Sequence, residues 1–374
     1  MKKDLKEKIH LFQSPGRVNL IGEHIDYSGG HVLPVAVDRS IFLSASIRND
    51  RLLKFKSLNF NKEIVRSLDD ITFRKEDDWA NYPKGVVKLL QDSGHRLQGM
   101  DLLYEGNIPI GAGLSSSAAI ELVTCYAFCS LCSINMKRED MALLCQKAEN
   151  EFVGMRCGIM DQFIISLGQK GHALFLNCQN LNYELVPFKT DNVSIVVGNT
   201  NKKRNLVNSE YNKRRKDCED GLEILRKYLD VGYLCDVTPL QFEEYRGKLP
   251  DIIRRRCEHA VYENERVKKS VSALKKNDID AFGNLLMESH NSLRDLYEVS
   301  CPELDIMVEE SLKVEGVFGS RLTGAGFGGC TLSLVRNDRA EYFIQQVSER
   351  YYKRTKIKPE FYVCSVEDGV KEII

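Results

Sequence analysis

The sequence has no excess of charge of either sign, because 53 lysines and arginines offset 53 aspartates and glutamates. It therefore lacks the basic excess that is typical of nucleic-acid-binding proteins. No apolar run approaches the roughly 20 residues of a membrane-spanning helix, and the first eight residues lack the apolar core of a secretory signal. These absences predict a cytoplasmic protein that binds neither nucleic acid nor membrane.

Several nucleotide- and metal-binding motifs are also missing. The GxxxxGK[ST] pattern of P-loop NTPases does not occur, and neither do the HRD and DFG motifs of protein kinases. The twelve cysteines are scattered, and the one CxxC pair, Cys129 and Cys132, has no second pair to complete a zinc set. Reduced, buried thiols are therefore expected.

The length of 374 residues suggests two domains or one large one. Near residue 180 the pattern changes to long, charged helical segments, which we interpret as solvated helix faces. We predict an α+β fold with an N-terminal domain over residues 1–180 and a C-terminal domain over residues 181–374. A last strand near residues 361–366 could pair with either half.

Hydrophobic periodicity predicts individual elements in both halves. In the first half, strands are predicted within residues 32–57, 100–104 and 172–176, and helices over residues 81–90, 117–131 and 138–152. In the second half, strands are predicted over residues 193–197, 328–335 and 360–366, and helices over residues 210–228, 254–275, 279–293 and 340–352.

A glycine–serine loop (residues 106–117) stands between a predicted strand and a predicted apolar helix. Three glycines turn the backbone, and three serines precede Ala118. Free backbone N–H groups and the positive end of a helix would meet there, which favours a phosphate cradle without a Walker A lysine. The serines would serve as N-caps and hydroxyl ligands. The structural alternative is a well-capped helix after a tight loop.

A polar loop (residues 14–30) gathers Arg17, Glu23, His24 and Asp26 within ten residues. Carboxylate, imidazole and guanidinium groups in a loop bounded by glycines suit a sugar, whose hydroxyls need donors and acceptors at fixed positions. A metal site is disfavoured because His24 and His31 lack ligand spacing. The structural alternative is a polar turn between strands.

Two further segments carry glycines. In residues 154–163, Asp161 is a carboxylate in an apolar run, and it could accept or orient a hydroxyl proton, or cap a helix. Residues 321–330, the third glycine loop, spell GxGxxG, but the predicted strand after them does not fit a dinucleotide-binding unit. A hinge that packs against another loop fits that segment better.

Together these segments resemble the three motifs of the GHMP small-molecule kinases. Residues 16–27 are similar to the galactokinase signature within that family, with Ile25 where threonine is commoner. Residues 157–163, 167–173, 206–215 and 288–295 are also galactokinase-like. The resemblance implies two domains, each with a mixed or antiparallel sheet, and an active site between them.

For the nucleotide, the resemblance implies ATP lying against the glycine–serine loop, with Mg²⁺ held by Ser117 and Glu149. The implied phosphate-binding residues are Gly111, Ala112, Gly113, Leu114, Ser115, Ser116, Ser117 and Ala118. Trp79, Asn81 and Tyr82 would lie near the base and ribose.

For the sugar, the resemblance implies that galactose hydroxyls bind to Glu23, His24, Asp26, Gly158 and Tyr211. Asp161 would face the O1 hydroxyl and either remove or orient its proton. Arg17 would sit beside both Asp161 and the phosphoryl group, and its charge should keep Asp161 ionised.

The implied reaction is ATP-dependent phosphorylation of D-galactose at O1, the first step of the Leloir pathway. Two alternatives remain open. The sugar could be N-acetylgalactosamine, galacturonate or arabinose, or the chain could be a catalytically silent galactose and ATP sensor. The intact Ser-Ser-Ser-Ala run disfavours the sensor. With no coiled-coil pattern, a monomer is predicted.

Overall fold

The structure, a computed structural model, describes residues 8–109, 113–155, 157–189, 191–202 and 207–373, and for residues 207 and 208 it describes the backbone only. Gly111 and Ala112 of the glycine–serine loop therefore lie outside the described residues. Within those ranges, no helix is both long enough and apolar enough to cross a membrane.

Strands and helices follow one another in an α+β order. The strands are β1 His10–Asn19, β2 His31–Val32, β3 Pro34–Ile47, β4 Leu52–Ser57, β5 Lys62–Ser67, β6 Met100–Gly106, β7 His172–Asn177, β8 Tyr183–Pro187, β9 Val193–Asn199, β10 Val317–Thr323, β11 Cys330–Arg336, β12 Glu360–Cys364 and β13 Lys371–Glu372. The helices are α1 Asn81–Asp92, α2 Ser116–Leu131, α3 Arg138–Lys147, α4 Met160–Leu167, α5 Val207–Leu225, α6 Pro239–Tyr245, α7 Asp251–Lys275, α8 Ile279–Asp295, α9 Pro302–Leu312 and α10 Ala340–Thr355.

Within the described ranges, the strands form three sheets. The largest has the order β13-β1-β3-β6-β4-β5 and is mixed, because β4 and β6 run parallel while the other neighbours are antiparallel. The second, β10-β11-β9-β12, is antiparallel throughout, and β2, β7 and β8 form the third. Strands β7 and β8, on either side of residue 180, pair with each other. The domain boundary at residue 180 stays a prediction.

The chain end contacts both large sheets. Strand β12 pairs with β9, then Val366 forms a bridge with Val37, and β13 pairs with β1. His10 of β1 lies 2.6 Å from Glu372 through Nδ1 and Oε1. The tail thus continues from the antiparallel sheet onto the edge of the mixed sheet, which answers the choice that the sequence left open.

Every strand and helix predicted from periodicity has a counterpart in the structure, and apart from the helix over residues 138–152 they differ from it mainly at their ends. Others were not predicted, including β1 and β10. The Pro15-Gly16 pair in β1 is typical of a turn, but it forms a β-bulge opposite β3. Residues 14–19 of the polar loop therefore belong to a strand, and only the remainder is irregular.

Helix α2 lies against the mixed sheet and is buried on nearly all sides from Ala118 to Cys129. Cys125 and Cys129 are free thiols within this core, as expected for small apolar side chains. The predicted single helix over residues 138–152 is wrong in detail. The α-helix ends at Lys147, and Ala148–Val153 continues as a π-helical turn that ends at Gly154 with φ +85°. Glu149 lies buried in that turn.

Candidate active site

The polar loop, residues 154–161, the third glycine loop and α5 together line one cavity of about 460 Å³, called the larger cavity here. Its polar lining comprises Arg17, Glu23, His24, Asp26, Asp161, Tyr211 and Asn212, and its remaining lining is Gly154, Met155, Cys157, Gly158, Met160, Gly324 and Ala325. The fold therefore brings together side chains that are up to about 300 positions apart in the sequence, including every residue predicted for the sugar.

Arg17 and Asp161 form a two-pronged ion pair in this cavity. Arg17 Nε donates to Asp161 Oδ1 at 2.7 Å, and Nη2 donates to Oδ2 at 2.7 Å. The third guanidinium nitrogen, Nη1, donates to the carbonyl of Gly113 at 2.6 Å. Burial opposes the charged guanidinium, but the neighbouring Asp161 outweighs it and raises the pKa of Arg17. Arg17 thus joins β1, the Asp161 segment and the glycine–serine loop.

Ser115 does not cap helix α2 with its side chain, so the capping prediction is wrong for this residue. Its backbone is left-handed, with φ +59°, and its hydroxyl donates instead to Asp161 Oδ2. An N-cap side chain typically reaches the first helical N–H groups from an extended backbone, which Ser115 does not have. Ser115 therefore leaves the first N–H groups of α2 without a hydroxyl cap. Because uncapped N–H groups at a helix start can bind an anion, this favours the anion-cradle interpretation over the capped-helix one.

A smaller cavity of about 190 Å³ lies beside the start of α2. Trp79, Tyr82, Ser116 and Ser117 line it, together with the apolar or aromatic side chains of Ile41, Phe60, Tyr104, Ile108 and Ile120. Asn81 does not line it. The Asn81 amide binds the backbone of Arg74, through Nδ2 to O at 2.8 Å and through Oδ1 from N at 3.2 Å. The structure therefore places Asn81 as a support for the turn that carries Trp79.

Glu149 is buried between Ser117, which lines the smaller cavity, and Cys157, which lines the larger one. Burial raises its pKa, and the charge of Asp161 raises it further, while hydrogen bonds from Cys157, Ser117 and Gln162 act in the opposite direction. Gln162 Nε2 donates to Glu149 Oε2 at 2.8 Å. Burial likewise raises the pKa of Glu121, which is fully buried, well above its ordinary value.

These donors fit a hard cation. Among the described residues, no three His, Cys, Asp or Glu side chains converge as a complete metal site. One carboxylate and one hydroxyl nevertheless suit Mg²⁺, which usually keeps several waters and substrate phosphates as its other ligands. The buried, mutually repelling Glu121 and Glu149 carboxyls would also be relieved by a nearby positive charge.

His24 is held in a left-handed backbone conformation with φ +63°. Its Nδ1 lies 2.8 Å from the hydroxyl of Tyr27, and its Nε2 lies 3.2 Å from the carbonyl of Ala325. Burial lowers the pKa of His24 to about 4, so the ring is neutral at pH 7. Because a carbonyl only accepts, Nε2 carries the proton, and Nδ1 accepts from Tyr27.

Asp26 and Gly158 are packed against each other. A Cβ at position 158 would lie 1.8 Å from Asp26 Oδ2, so only glycine leaves room for this carboxylate. Burial raises the pKa of Asp26 to about 6, and repulsion from Asp161 adds to the shift. Tyr211, on α5, closes this side, with its ring centroid 5.5 Å from that of His24 and 5.6 Å from that of Tyr27.

The third glycine loop packs on the polar loop, as predicted. Gly324 N donates to Glu23 Oε1 at 2.8 Å, and the Ala325 carbonyl contacts His24. Phe327 has φ +56°, and its N–H donates to the carbonyl of Val299 at 2.7 Å. The loop thus supplies backbone groups to the larger cavity rather than a dinucleotide site.

Helix α7 contributes buried polar groups that the sequence analysis missed. Glu263 Oε1 accepts from the N–H of Gly22 at 3.0 Å, and His259 Nε2 lies 3.1 Å from the Glu23 carbonyl. Asn264 Oδ1 accepts from the N–H of His31 at 2.9 Å. The interpretation of this charged helix as a solvated face is therefore wrong for one side, which binds the backbone of the polar loop. Local periodicity carries no signal of such distant partners.

Three family models match the chain. The GHMP kinases N-terminal domain matches residues 81–169, the GHMP kinases C-terminal model matches residues 270–353, and the galactokinase galactose-binding signature matches residues 2–47. The chain is 47% identical over 372 residues to a galactokinase of Clostridium perfringens (strain ATCC 13124), covering 98% of this chain and 96% of that protein. It is also 47% identical to a galactokinase of Bacillus subtilis (strain 168), with coverages of 98% and 95%.

Comparison with solved structures agrees with these matches. The crystal structure of Lactococcus lactis galactokinase complexed with galactose superposes with a TM-score of 0.94 at 38% identity, covering 98% of this chain and 95% of that one. Methanococcus jannaschii mevalonate kinase superposes with a TM-score of 0.71 at 19% identity, covering 98% and 100%, and shows a shared fold alone.

Proposed function

The chain belongs to the galactokinase family of the GHMP kinases, and on that premise we propose that it transfers the γ-phosphoryl group of ATP to O1 of D-galactose. The products are α-D-galactose 1-phosphate and ADP. The observation that carries the proposal is the Arg17–Asp161 pair, which lies in the larger cavity and contacts Gly113 of the glycine–serine loop. The Asp161 carboxylate, which can accept a hydroxyl proton, the anion cradle of the glycine–serine loop and the Arg17 guanidinium therefore meet at one place.

Asp161 handles the proton of the O1 hydroxyl. A carboxylate offers about four acceptor positions, and three are taken by two nitrogens of Arg17 and the hydroxyl of Ser115. The open position is on Oδ1, where the O1 hydroxyl can donate. Asp161 then orients O1 for in-line attack and accepts its proton as the new P–O bond forms.

Arg17 and the start of α2 stabilise the charge that develops during transfer. The guanidinium lies between Asp161 and the glycine–serine loop, so it offsets negative charge on both the carboxylate and the phosphoryl group. Backbone N–H groups of α2 bind phosphate oxygens. Ser117 and Glu149 would hold Mg²⁺, which when bound supplies further neutralisation of the phosphates.

The two cavities divide the substrates. The base of ATP occupies the smaller, mostly apolar cavity with Trp79 and Tyr82, and galactose occupies the larger one. Glu23, Asp26 and Tyr211 bind its hydroxyls, with Gly158 leaving space for Asp26. Binding through His24 stays a prediction, since both ring nitrogens already have protein partners and one contact must be exchanged for it.

A coupled ADP-release assay with ATP and Mg²⁺ tests the proposal. The acceptors are galactose, N-acetylgalactosamine, galacturonate, arabinose and glucose. We expect galactose to be preferred by about a hundredfold or more in kcat/KM, as hydrogen-bonded pockets can achieve. Preference for another sugar would contradict the assignment of galactose. Galactose binding without ADP release would contradict the kinase activity and favour a sensor.

The monomeric state, the cytoplasmic location and the domain boundary at residue 180 remain predictions. Size-exclusion chromatography with light scattering measures the first directly. A mass close to 42.6 kDa is expected for the monomer.

A further inference from the structure

The two carboxylate oxygens of Glu23 have different surroundings. Oε1 accepts from Thr323 Oγ1 at 2.9 Å and from Gly324 N at 2.8 Å, and Arg321 Nη2 lies 2.7 Å away. Within the described part of the chain, no donor contacts Oε2. Glu23 itself is almost completely buried and lines the larger cavity.

Arg321 is fixed independently of Glu23. The side chain is fully buried on β10, its Nη1 donates to the Leu20 carbonyl at 3.0 Å, and its Nε donates to the Leu322 carbonyl at 2.7 Å. No N–H of Nη2 is aligned on an acceptor, so its contact with Glu23 is an ion pair rather than a directed hydrogen bond. The buried guanidinium needs a nearby negative charge, and Glu23 supplies it.

A purely stabilising pair would be expected to engage both carboxylate oxygens, as arginine and carboxylate commonly do. Here every contact from β10 and the third glycine loop falls on Oε1 alone. Oε2 is thereby left as an acceptor, and its position is set in part by Arg321 and Thr323, which do not line the larger cavity.

We infer that Arg321 and Thr323 of β10 are positioning residues that determine sugar specificity by holding Glu23 Oε1, so that Oε2 accepts from one particular sugar hydroxyl. The inference rests on the proposed function, because it takes a sugar as the occupant of the larger cavity. Strand β10 would then select the substrate without touching it.

The test compares two isosteric substitutions on paired strands. Thr323→Val removes the hydroxyl that donates to Glu23. Thr331→Val is the matched control, because Thr331 is also buried, stands opposite Leu322 on β11 and has its hydroxyl 3.5 Å from the Gly198 carbonyl. We expect Thr323→Val to raise KM for galactose about tenfold, as loss of a bond to a charged group can do, with KM for ATP unchanged. Thr331→Val should leave both unchanged.

A panel of 2-, 3-, 4- and 6-deoxygalactose separates positioning from a general structural defect. The wild-type chain should be most impaired with the one analogue that lacks the hydroxyl bound by Oε2. In Thr323→Val and Arg321→Lys that penalty should shrink, whereas the penalties for the other analogues should persist. An equal loss on every analogue, or equal behaviour of Thr323→Val and Thr331→Val, would overturn the inference.

The same panel is measured by calorimetric binding of the sugars without ATP. This keeps the inference separate from the proposed function, since a wild-type chain that binds galactose but does not phosphorylate it contradicts only the latter. Glu23→Gln combined with Arg321→Lys completes a double-mutant cycle. Additive effects of these two substitutions on sugar binding would contradict the inference that Arg321 acts through Glu23.

Discussion

Around the larger cavity, Arg17, Glu23, His24 and Asp161 are each held by another part of the chain, whereas the smaller cavity is lined mostly by apolar and aromatic side chains. Glu23 is bound from β10, His24 from the third glycine loop, and the polar loop backbone from α7. Beside the smaller cavity, no described residue accepts the Trp79 indole N–H. The larger cavity, our proposed sugar side, is therefore preorganised by hydrogen bonds, whereas the smaller cavity, our proposed nucleotide side, offers mainly an apolar shape.

The largest expected effect comes from removing the group that joins the two sides. Asp161→Asn keeps the size of the side chain but loses the negative charge and the proton acceptor. We expect kcat to fall by about 10³-fold or more, with ATP binding retained. Turnover is measured by ADP release and ATP affinity by calorimetry. Near-normal turnover would remove Asp161 from the mechanism.

A change confined to the sugar side should weaken sugar binding alone. Gly158→Ala introduces a Cβ 1.8 Å from Asp26 Oδ2, so the carboxylate must move. We expect KM for galactose to rise by about a hundredfold, comparable to losing a bond to a charged group, with KM for ATP unchanged. Gly247→Ala is the control, since a Cβ there meets nothing within 4 Å. Equal effects of both substitutions on galactose would contradict the packing argument.

The buried charge on the sugar side should also appear as a pH dependence of stability. Burial and the neighbouring Asp161 raise the pKa of Asp26 to about 6, above its ordinary value of 3.8. The folded chain then binds more protons than the unfolded chain between these values, so this group lowers stability as pH rises through 6. At neutral pH, the raised pKa of Asp26 lowers the free energy of unfolding by about 3 kcal/mol at most.

Thermal unfolding of the wild type and Asp26→Asn between pH 5 and pH 8 measures this effect, in the absence of sugar. We expect the variant to be more stable than the wild type at pH 8, and the difference to shrink toward pH 5. His24 and Glu23 lie nearby but are present in both proteins. A constant difference across this pH range would contradict a raised pKa for Asp26.

The smallest effect is expected on the nucleotide side. Trp79→Phe keeps an aromatic ring in the smaller cavity and loses part of the contact area together with the unpaired N–H. We expect KM for ATP to rise about threefold, in line with a loss of under 1 kcal/mol, and KM for galactose to stay constant. Because Trp79 is the single tryptophan, its fluorescence should respond to ATP and not to galactose. A response to galactose alone would place Trp79 away from the nucleotide.

Much of the site was predictable because its chemistry is concentrated in short segments. Arg17, Glu23, His24 and Asp26, singled out from local composition, meet Asp161 in one cavity, as the family resemblance implied. The prediction for Ser115 was wrong because an N-cap typically needs an extended backbone, whereas Ser115 has φ +59° and its hydroxyl donates to Asp161. The place of Asn81 near the nucleotide stays a prediction, and its amide binds the Arg74 backbone.

The sequence by itself determined the family, the α+β class, most strands and helices, and the loops that carry the reactive groups, since each of these follows from local spacing of residue types. Only the tertiary structure decided which groups hold those loops in place. Thr323 and Glu23 lie 300 positions apart, and Gly22 and Glu263 lie 241 apart. Such pairs leave no periodic pattern, because burial and charge compensation select the partners only after the sheets and helices have packed.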